Sequence, residues 1–248
     1  MLKAERHNKM IEYINKFEKV SVDDLAEIFD VSRPTVVRDL SELSKRGRIY
    51  RTRGFAISVS NRLSMEMPYK EKEAMNVSEK KKIASLALPL IGDNKSIIID
   101  SGSTNLELAK MMTNKKAIVI TNDIRVALEF STYDFVDLYV SPGKLVKQVY
   151  TLDGSLTVSF FKDLSVDILF LGIDAIDFET GIYNSEIDET LLKKVMIESA
   201  SYVVALVDSS KFGNRTFVRV GDIELIDCLV TDSITKEQLN ILKEKNIR

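Results

Sequence analysis

The sequence is poor in the residues that build disulfides, metal sites and membrane spans. Its 248 residues include one cysteine, Cys228, one histidine, His7, and no tryptophan. A single cysteine excludes an internal disulfide, and one cysteine with one histidine disfavours a zinc site. No apolar run approaches the roughly 20 residues that a membrane-spanning helix needs. Because Cys228 lies in an apolar run, we expect a buried structural thiol.

Targeting and nucleotide-binding signals are also missing. Residues 1–6 read Met-Leu-Lys-Ala-Glu-Arg, without the apolar core of a signal peptide, so we expect a cytoplasmic protein with no membrane partner. There is no Gly-x-Ser-x-Gly elbow and no Walker loop, and we expect no cofactor. A content of 45% hydrophobic and 29% charged residues is typical of a globular chain with one large domain, or a large and a small one.

Positive charge is concentrated at the start of the chain. Residues 1–62 hold 13 Lys and Arg against 9 Asp and Glu, a net charge of +4, whereas residues 63–248 hold 22 against 28, a net charge of −6. Residues 45–62 contain six of these cations and no acidic residue. A run of charge is often only a solvated face, but beside a helical motif it favours a polyanionic partner.

The basic part shows the pattern of a helix-turn-helix. Residues 3–17 carry apolar residues at helical spacing, and Ser21 is a candidate cap for a second helix of about seven residues. Ser32 precedes a third helix with Pro34 in its first turn. One face of that helix carries the residues that we expect in the core: Val36, Leu40 and Leu43. Two short helices joined by three residues predict a helix-turn-helix, although generic three-helix bundles share this pattern.

The other side of the third helix presents side chains that suit a DNA groove. Short polar and cationic groups can read base edges or hold phosphates there. Residues 48–57 alternate cations with apolar residues around Gly54, which predicts a β-hairpin wing and favours a winged helix-turn-helix over a plain bundle. The predicted DNA-binding residues are Ser32, Arg33, Thr35, Val37, Arg38, Ser41, Arg51 and Arg53. We therefore expect a small α+β winged helix-turn-helix domain over residues 1–60.

A second, larger domain follows. Residues 61–77 include Pro68 and lack a long apolar periodicity, so they are predicted to be a linker, and Ser78 is predicted to cap the next helix. Apolar runs predict strands near 97–99, 117–120, 136–140, 166–171, 202–207 and 228–230. Helical patterns lie between them near 105–113, 123–132, 154–162, 186–200 and 235–245. This alternation predicts an α/β Rossmann-like domain with a largely parallel sheet over residues 78–248.

The loop after the first of these strands has the chemistry of an anion site. Gly102 lets two backbone segments approach, while Ser103, Thr104 and the free N–H groups of the next helix point donors into one concavity. The positive end of the helix dipole lies there, which favours phosphate. Asp100 can accept hydrogen bonds from hydroxyls, so the pair suits a phosphorylated polyol or sugar. An ordinary capped turn has the same pattern.

Polar residues also follow four further predicted strands. The carboxyl ends of parallel strands meet at one edge of a sheet, so we expect a common ligand site there. The predicted effector-binding residues are Asp100, Ser101, Gly102, Ser103, Thr104, Asn105, Thr121, Asn122, Gly143, Lys144, Asp174, Glu186 and Lys211. Each polar strand end also favours turns for local reasons, and Lys211 can alternatively pair with Asp208 at the surface.

Several of these motifs together resemble the DeoR family of transcriptional regulators. In the basic part the resemblance rests on Val20-Ser21-Val22, Leu25-Ala26, Val31-Ser32, Thr35-Val36, Arg38-Asp39-Leu40 and Arg51 to Ala56. Family members usually show two arginines where this chain has Val37-Arg38, which bears on a phosphate contact or base preference. Their wing usually reads Gly-Gly-Ala, so Phe55 must reach its backbone conformation without the freedom of glycine.

The resemblance extends over the second domain. It rests there on Asp100-Ser101-Gly102-Ser103-Thr104, Thr121-Asn122, Gly172-Ile173-Asp174, Asp208 to Gly213 and Thr231-Asp232. It implies a fold similar to ribose-5-phosphate isomerase, in which a Ser-Gly-Ser-Thr loop holds phosphate, and a response to phosphorylated sugars. Ser141-Pro142-Gly143 departs from the Gly-Gly pair that is common after the third strand.

Two functions are compatible with these features. The first is a repressor of a sugar-metabolism operon that binds double-stranded operator DNA with an affinity set by a phosphorylated sugar. We expect it to act as a homodimer or homotetramer, because one winged domain touches few base pairs. The second is a sugar-phosphate isomerase-like enzyme with an accessory DNA-binding domain. Four residues in that case can shuttle a proton between sugar carbons: Asp174, Asp177, Glu186 and Lys211.

Overall fold

The computed structural model describes residues 2–45, 48–52, 54–58 and 69–248. The chain divides into two compact units, Met1–Glu66 and Met67–Arg248. Residues 61–68 of the predicted linker, and Arg53 of the predicted wing, lie outside the described residues.

The N-terminal unit contains three helices and a small antiparallel sheet. Its elements are α1 (Lys3–Phe17), β1 (Lys19–Ser21), α2 (Val22–Ile28), α3 (Arg33–Lys45), β2 (Ile49–Thr52) and β3 (Phe55–Ser58). The strand order is β1-β3-β2, with Val20 opposite Ala56. The three helices and the hairpin were predicted, whereas β1 was not, because a strand of three residues has no visible periodicity. Ser21 caps α2 as predicted, since its hydroxyl accepts a hydrogen bond from the Asp24 N–H at 3.0 Å.

The core of this unit contains the apolar face predicted for α3. Val36 and Leu40 are fully buried, and Leu43 is nearly so. They pack with Met10, Ile14, Val20, Val22, Leu25, Ile49 and Ala56. The wing turn takes its positive φ at Gly54 (+89°), and Phe55 begins β3 without one. Phe55 therefore needs no glycine-like conformation.

A buried polar contact fixes α3 against α1. The carboxylate of Asp39 accepts a hydrogen bond from Arg6 Nε at 2.6 Å and lies 3.0 Å from His7 Nε2. Burial disfavours the ionised carboxylate, but the hydrogen bonds from Arg6 and His7 outweigh it and hold the pKa of Asp39 below its ordinary value. This network sets the position of the helix that carries most of the predicted DNA contacts.

The C-terminal unit alternates helices and strands. Its helices are α4 (Tyr69–Ala74), α5 (Val77–Ala87), α6 (Ser103–Met111), α7 (Ile124–Phe130), α8 (Ser155–Lys162), α9 (Ile187–Glu198) and α10 (Lys236–Glu244). Its strands are β4 (Lys95–Ile99), β5 (Ala117–Thr121), β6 (Val136–Val140), β7 (Lys144–Val146), β8 (Thr151–Asp153), β9 (Ile168–Leu171), β10 (Ala175–Asp177), β11 (Gly181–Asn184), β12 (Val203–Leu206), β13 (Val218–Gly221) and β14 (Cys228–Val230). Over the described ranges, no helix is long and apolar enough to cross a membrane.

Six of these strands form a parallel sheet, in the order β14-β12-β9-β4-β5-β6. The central strand β4 is buried on both faces, as its three isoleucines predict. Ile97 and Ile99 enter the apolar cluster on one face, and Ile98 enters the cluster on the other. Cys228 is a buried free thiol, as expected, and burial raises its pKa. The predicted α/β architecture with a parallel sheet is confirmed.

The antiparallel parts of this unit were not predicted. β10, β11 and β13 form a second sheet, and β7 pairs with β8. These strands have three or four residues and no long apolar run. The predicted cap of α5 was also misplaced, because the helix begins at Val77 after Asn76 in the left-handed conformation, so Ser78 lies inside it.

The predicted linker is wrong over residues 69–74, which form α4. Its sequence is dominated by charged residues, but Tyr69 is buried in the core of the C-terminal unit. The guanidinium of Arg125 lies 3.9 Å from the centre of the Tyr69 ring and donates a hydrogen bond to Glu73 at 2.6 Å. Cation–π and ion-pair contacts therefore dock a helix that has too little apolar periodicity to be recognised from sequence.

Candidate functional site

The loop between β4 and α6 offers unpaired hydrogen-bond donors at a helix N-terminus. Gly102 has a φ of +132°, and α6 begins at Ser103, two residues before the predicted start. The backbone N–H groups and hydroxyls of Ser103 and Thr104 have no hydrogen-bond partner in the described parts of the chain. Free donors beside the positive end of a helix dipole are the geometry that favours an anion, and the anion site itself stays a prediction.

Asp100 does not face the ligand side of this loop. Its side chain is 1% exposed, and its carboxylate accepts hydrogen bonds from Lys193 at 2.6 Å, from the Ser101 N–H at 2.7 Å and from the Gly172 N–H at 3.0 Å. Both oxygens are therefore occupied by the protein. The predicted role of Asp100 in orienting sugar hydroxyls does not fit this geometry, and the residue instead fixes the loop.

Lys193 is the buried cation that makes this arrangement possible, and the sequence prediction missed it. Its side chain is 2% exposed, and its ammonium lies 2.6 Å from Asp100 and 2.9 Å from Glu189. Burial disfavours the charged ammonium, but the two carboxylates outweigh that effect and raise the pKa of Lys193. One feature of the sequence could have indicated that Lys193 is buried. It lies four residues after Glu189 and three before Met196, on the buried face of α9.

The end of β5 supports the same loop. Asp123 accepts hydrogen bonds from the N–H groups of Arg125 at 2.7 Å and Gly102 at 3.3 Å. It therefore caps α7 and also holds the loop between β4 and α6, residues 100–104, which we call the anion loop. Burial raises its pKa to about 6, against the effect of these hydrogen bonds. Thr121 is fully buried and accepts from the Asp123 N–H at 3.0 Å. Thr121 therefore shapes the loop, and Asn122 lies beside it, 1% exposed.

The loop after β9 closes onto the anion loop. A Cβ atom at Gly172 would lie 2.6 Å from the Ser101 carbonyl oxygen, so only glycine allows the two loops to approach this closely. Asp174 accepts hydrogen bonds from the Ser185 N–H at 3.1 Å and from Lys72 of α4 at 3.0 Å. The segment 172–174 thus joins the anion loop to α4.

Three lysines concentrate positive charge at this edge, and we call Lys72, Lys80 and Lys211 the cation cluster. Lys211 donates to the Ile173 carbonyl at 2.6 Å, and Lys80 donates to the Met75 carbonyl at 2.6 Å. Burial, then the charges of Lys211 and Lys72, lower the pKa of Lys80 to about 8. The three ammonium groups therefore lie close enough to repel one another, with Lys72 paired to Asp174 at 3.0 Å.

The sequence prediction found one member of this cluster, Lys211. Lys72 was missed because its segment was assigned to the linker. Lys80 was missed because a lysine in an amphipathic helix is usually solvated, yet it lies three and four residues before buried Ile83 and Ala84. The alternative pairing of Lys211 with Asp208 is not the contact seen, since Asp208 accepts from the Ser210 N–H at 3.2 Å and the Asn76 amide at 3.1 Å.

The remaining predicted effector residues differ in their surroundings. Asn105 is buried and its amide N–H donates to the Asp100 carbonyl at 2.8 Å, which holds the loop. Its Oδ1 atom has no hydrogen-bond partner among the described residues. Gly143 packs against α8, where a Cβ atom would meet the Thr157 hydroxyl. Lys144 and Glu186 are exposed, and within the described ranges no contact joins them to the anion loop. Their binding roles stay predictions.

The candidate DNA surface on α3 contains both exposed and partly buried residues. Arg38 is exposed, and Arg33 is exposed beside Asp23, with 3.2 Å between Arg33 Nε and Asp23 Oδ1. Val37 is half-buried and packs against the core, so it offers little surface to DNA. The Ser41 hydroxyl donates to the Val37 carbonyl at 2.6 Å.

Two other predicted DNA contacts lie at the start of α3. The Ser32 and Thr35 hydroxyls lie 2.8 Å apart, which ties the exposed Ser32 to the first turn of the helix. In the wing, Arg51 belongs to β2. These DNA contacts stay predictions.

Comparison with known proteins assigns both units. A family model described as "DeoR-like helix-turn-helix domain" matches residues 6–62, and one described as "DeoR C terminal sensor domain" matches residues 75–233. The chain belongs to the DeoR family of transcriptional regulators. It is therefore a DNA-binding regulator with a sensor domain, and the alternative of an isomerase-like enzyme is set aside.

DeoR-family relatives match over nearly the whole chain. The HTH-type transcriptional regulator GlpR of Haloferax volcanii is 34% identical and covers 94% of this chain and 91% of its own. The glycerol-3-phosphate regulon repressor of Escherichia coli K12 is 30% identical over 94% and 92%. The transcriptional repressor GlcR of Bacillus subtilis is 30% identical over 99% and 95%. Ribose 5-phosphate isomerase A of Methanocaldococcus jannaschii is 20% identical with a TM-score of 0.41, covering 55% of each chain.

We expect Arg38→Ala to weaken operator binding by this DeoR-family regulator. A base-reading arginine is worth about 1–3 kcal/mol and its loss relaxes specificity, whereas a phosphate contact weakens all sequences alike. Fluorescence anisotropy with operator and scrambled DNA measures both effects. Lys9→Ala, which removes a cation from the exposed side of α1, serves as the control. Unchanged binding by Arg38→Ala would exclude Arg38 from the DNA interface.

Proposed function

We propose that this regulator represses a sugar-metabolism operon and that a phosphorylated sugar, bound at the carboxyl edge of the six-stranded sheet, sets its operator affinity. The observation that carries the proposal is the row of unpaired donors at Ser103 and Thr104. It is supported by the cation cluster, which concentrates positive charge at the same edge of the sheet. The name of the relative that represses a glycerol-3-phosphate regulon supports a phosphorylated polyol or sugar as the effector class.

The phosphate end of the effector is assigned to the first turn of α6. Backbone N–H groups and hydroxyls there donate to phosphate oxygens without any movement of the loop, because Asp100 and Asp123 already hold its shape. Charge-assisted hydrogen bonds of this kind contribute roughly 1.5–3 kcal/mol each. Lys211, whose ammonium donates to the Ile173 carbonyl at 2.6 Å, adds a cation at the same edge of the sheet.

The hydroxyl end of the effector is assigned to polar groups around this anchor. Six buried side-chain atoms among the described residues lack a hydrogen-bond partner, and three of them are Asn122 Oδ1, Ser141 Oγ and Asn184 Nδ2. Asn122 and Ser141 follow the neighbouring strands β5 and β6, whereas Asn184 ends β11 of the second sheet. Buried polar atoms are normally paired, so unpaired ones suit a polyhydroxylated ligand. Asp174 adds a carboxylate whose Lys72 partner can exchange for a sugar hydroxyl.

Helix α4 is the proposed link from effector to DNA. It is the first described element after residues 61–68, and Lys72 ties it to Asp174 while Glu73 ties it to Arg125. A sugar hydroxyl that competes for Asp174 weakens one of these two ties. DNA binding lies in residues 1–60, and effector binding lies in residues 78–248 together with α4. The regulator acts as a homodimer or homotetramer in the cytoplasm, where operator DNA is accessible.

Calorimetry with matched phosphorylated and free sugars tests the proposed function. We expect glycerol 3-phosphate or one of a panel of pentose and hexose phosphates to bind, and its dephosphorylated form to bind orders of magnitude more weakly. A ligand at a hundredfold its dissociation constant should also add about 2.7 kcal/mol to the free energy of unfolding. Comparable affinity for the free sugar would contradict the phosphate anchor.

Effector affinity should fall as the pH rises above about 8, which is the pKa of Lys80. Below that pH the ammonium is charged and attracts the phosphate dianion, and above it the charge is lost. Because a bound dianion raises the pKa of a nearby ammonium, the dissociation constant should rise by up to tenfold per pH unit. Titrations between pH 7 and 9.5 measure the change, and operator binding at the same pH values is the control. A dissociation constant that does not change with pH would show that the charge of Lys80 does not contribute to effector binding.

A further inference from the structure

The six-stranded sheet has two edges of different character. At β14 the chain's own C-terminal residues cover the edge. The Leu229 N–H donates to the Arg248 carbonyl at 2.9 Å, and the Arg248 N–H donates to the Asp227 carbonyl at 3.0 Å. At β6 no strand pairs with the outer side in the described parts of the chain. One edge is thus closed by the protein itself, and the other is open.

The backbone of β6 presents alternate residues to this open edge. The Ser141 N–H donates to the Thr121 carbonyl at 2.9 Å, and the Phe135 carbonyl accepts from the Ala117 N–H at 3.3 Å. Odd-numbered residues therefore direct their peptide groups toward β5, and even-numbered residues direct theirs outward. Leu138 and Val140 consequently offer N–H and C=O groups to a further strand.

The surface around this edge is apolar. Phe135 is 57% exposed, Tyr139 is 56% exposed and Val140 is 42% exposed. Ile118, which is 42% exposed, lies beside Asp137 on the neighbouring strand. The strand contains no lysine or proline, the residues that commonly protect an edge from pairing. An edge of this kind is suited to pairing with another strand.

We propose that β6 pairs antiparallel with β6 of a second copy of this chain, with Leu138 opposite Leu138. In this register Leu138 exchanges two hydrogen bonds with its counterpart, and Val136 pairs with Val140. Each Asp137 carboxylate then lies opposite a Tyr139 hydroxyl, which can donate to it. The two sheets become one sheet of twelve strands, closed by a twofold axis.

Neighbouring registers are less favourable. Moving the axis to residue 137 places two carboxylates directly opposite each other, which destabilises a strand pair. Moving it to residue 139 places Val136 opposite Pro142, which has no N–H to donate. Of these three registers, only the one centred on Leu138 avoids both penalties. The strand is thus complementary to its own sequence, which favours a second copy over an unrelated peptide.

DNA binding gives a reason for this partner, because winged domains normally bind two half-sites as a dimer. This choice of partner rests on the family assignment, and the test below uses neither DNA nor effector. Failure of the test would therefore leave the proposed sugar-phosphate response untouched.

Disulfide trapping tests the register. The variants Asp137→Cys and Tyr139→Cys carry different affinity tags and are expressed together as full-length chains. Residues 137 and 139 face each other as a non-hydrogen-bonded pair with Cα atoms about 4.5 Å apart, within disulfide range. Mild oxidation should therefore link one variant to the other. Each variant alone should give no such link, because identical positions are diagonal and about 7–8 Å apart. The wild-type chain, whose Cys228 is buried, is the control.

Sedimentation velocity tests the edge independently. Val140→Pro removes an outward N–H and no hydrogen bond of the six-stranded sheet, so it should raise the dimer dissociation constant at least tenfold. Val140→Thr keeps the N–H and should not. A wild-type chain that is monomeric at micromolar concentration, a dimer that gives no mixed disulfide, or links within either single variant would each overturn the proposal.

Discussion

Ser103→Asp should abolish the response to a phosphorylated sugar while operator binding persists. The new carboxylate lies at the first residue of α6, where the helix dipole and free N–H groups would otherwise receive the phosphate. It competes for those donors and repels the dianion, so we expect at least a hundredfold loss of affinity, about 2.7 kcal/mol. Calorimetry measures the affinity for the phosphorylated sugar, and an operator-release assay measures operator binding and its response to the sugar.

A matched control separates this effect from added charge. Gln238→Glu introduces the same charge in the first turn of α10, where residue 238 already accepts a hydrogen bond from the Thr235 N–H. It should leave effector affinity unchanged. A full effector response from Ser103→Asp would place the phosphate elsewhere.

Lys211→Ala should lower the affinity for the effector at least tenfold, because it removes a cation from the cation cluster. Lys236→Ala, on the exposed start of α10, is its control.

Lys193→Met should destabilise the C-terminal unit by about 3–5 kcal/mol, because it leaves the buried Asp100 carboxylate without its cation. In a unit of this size that corresponds to a fall of about 10 °C in melting temperature. Thermal unfolding followed by circular dichroism measures it. The neighbouring Lys194 is exposed, so Lys194→Met is a control for composition and helix propensity.

A second variant tests the cause of this loss. Asp100→Asn combined with Lys193→Met removes both charges, so it should recover part of the lost stability. If Lys193→Met unfolds within 1 °C of Lys194→Met, the buried pair does not carry the stability assigned to it. If the double variant is the less stable, the loss comes from packing and not from an unpaired charge.

The parts of the fold that were predictable are those with a strong local pattern. Ile97 to Ile99 had to be buried on both faces, and the face of α3 that carries Val36 and Leu40 had to turn inward. The Gly102-Ser103-Thr104 loop was recognisable because glycine and hydroxyl residues between a buried strand and a helix have a specific chemistry.

The parts that were not predictable depend on partners distant in sequence. Asp100 looked like a ligand residue because Lys193, which neutralises it, lies 93 positions away. Lys72 looked like a linker residue because its partner, Asp174, lies 102 positions away. No window of 10–20 residues contains either pair. A polar strand end therefore identifies the edge where a site lies, but not which side chains face the ligand.

The proposed binding of the phosphate by main-chain N–H groups has a consequence for how effector preference can change. Every residue except proline carries a main-chain N–H group. Side-chain substitutions outside the loop between β4 and α6 therefore leave the N–H groups that bind the phosphate in place. In the proposed site, preference among sugars then depends on other groups, such as Asn184 at the end of β11 and Ser141 just after β6. Substitution of those two residues should change which phosphorylated sugar the regulator prefers, while the loop that binds the phosphate group stays the same.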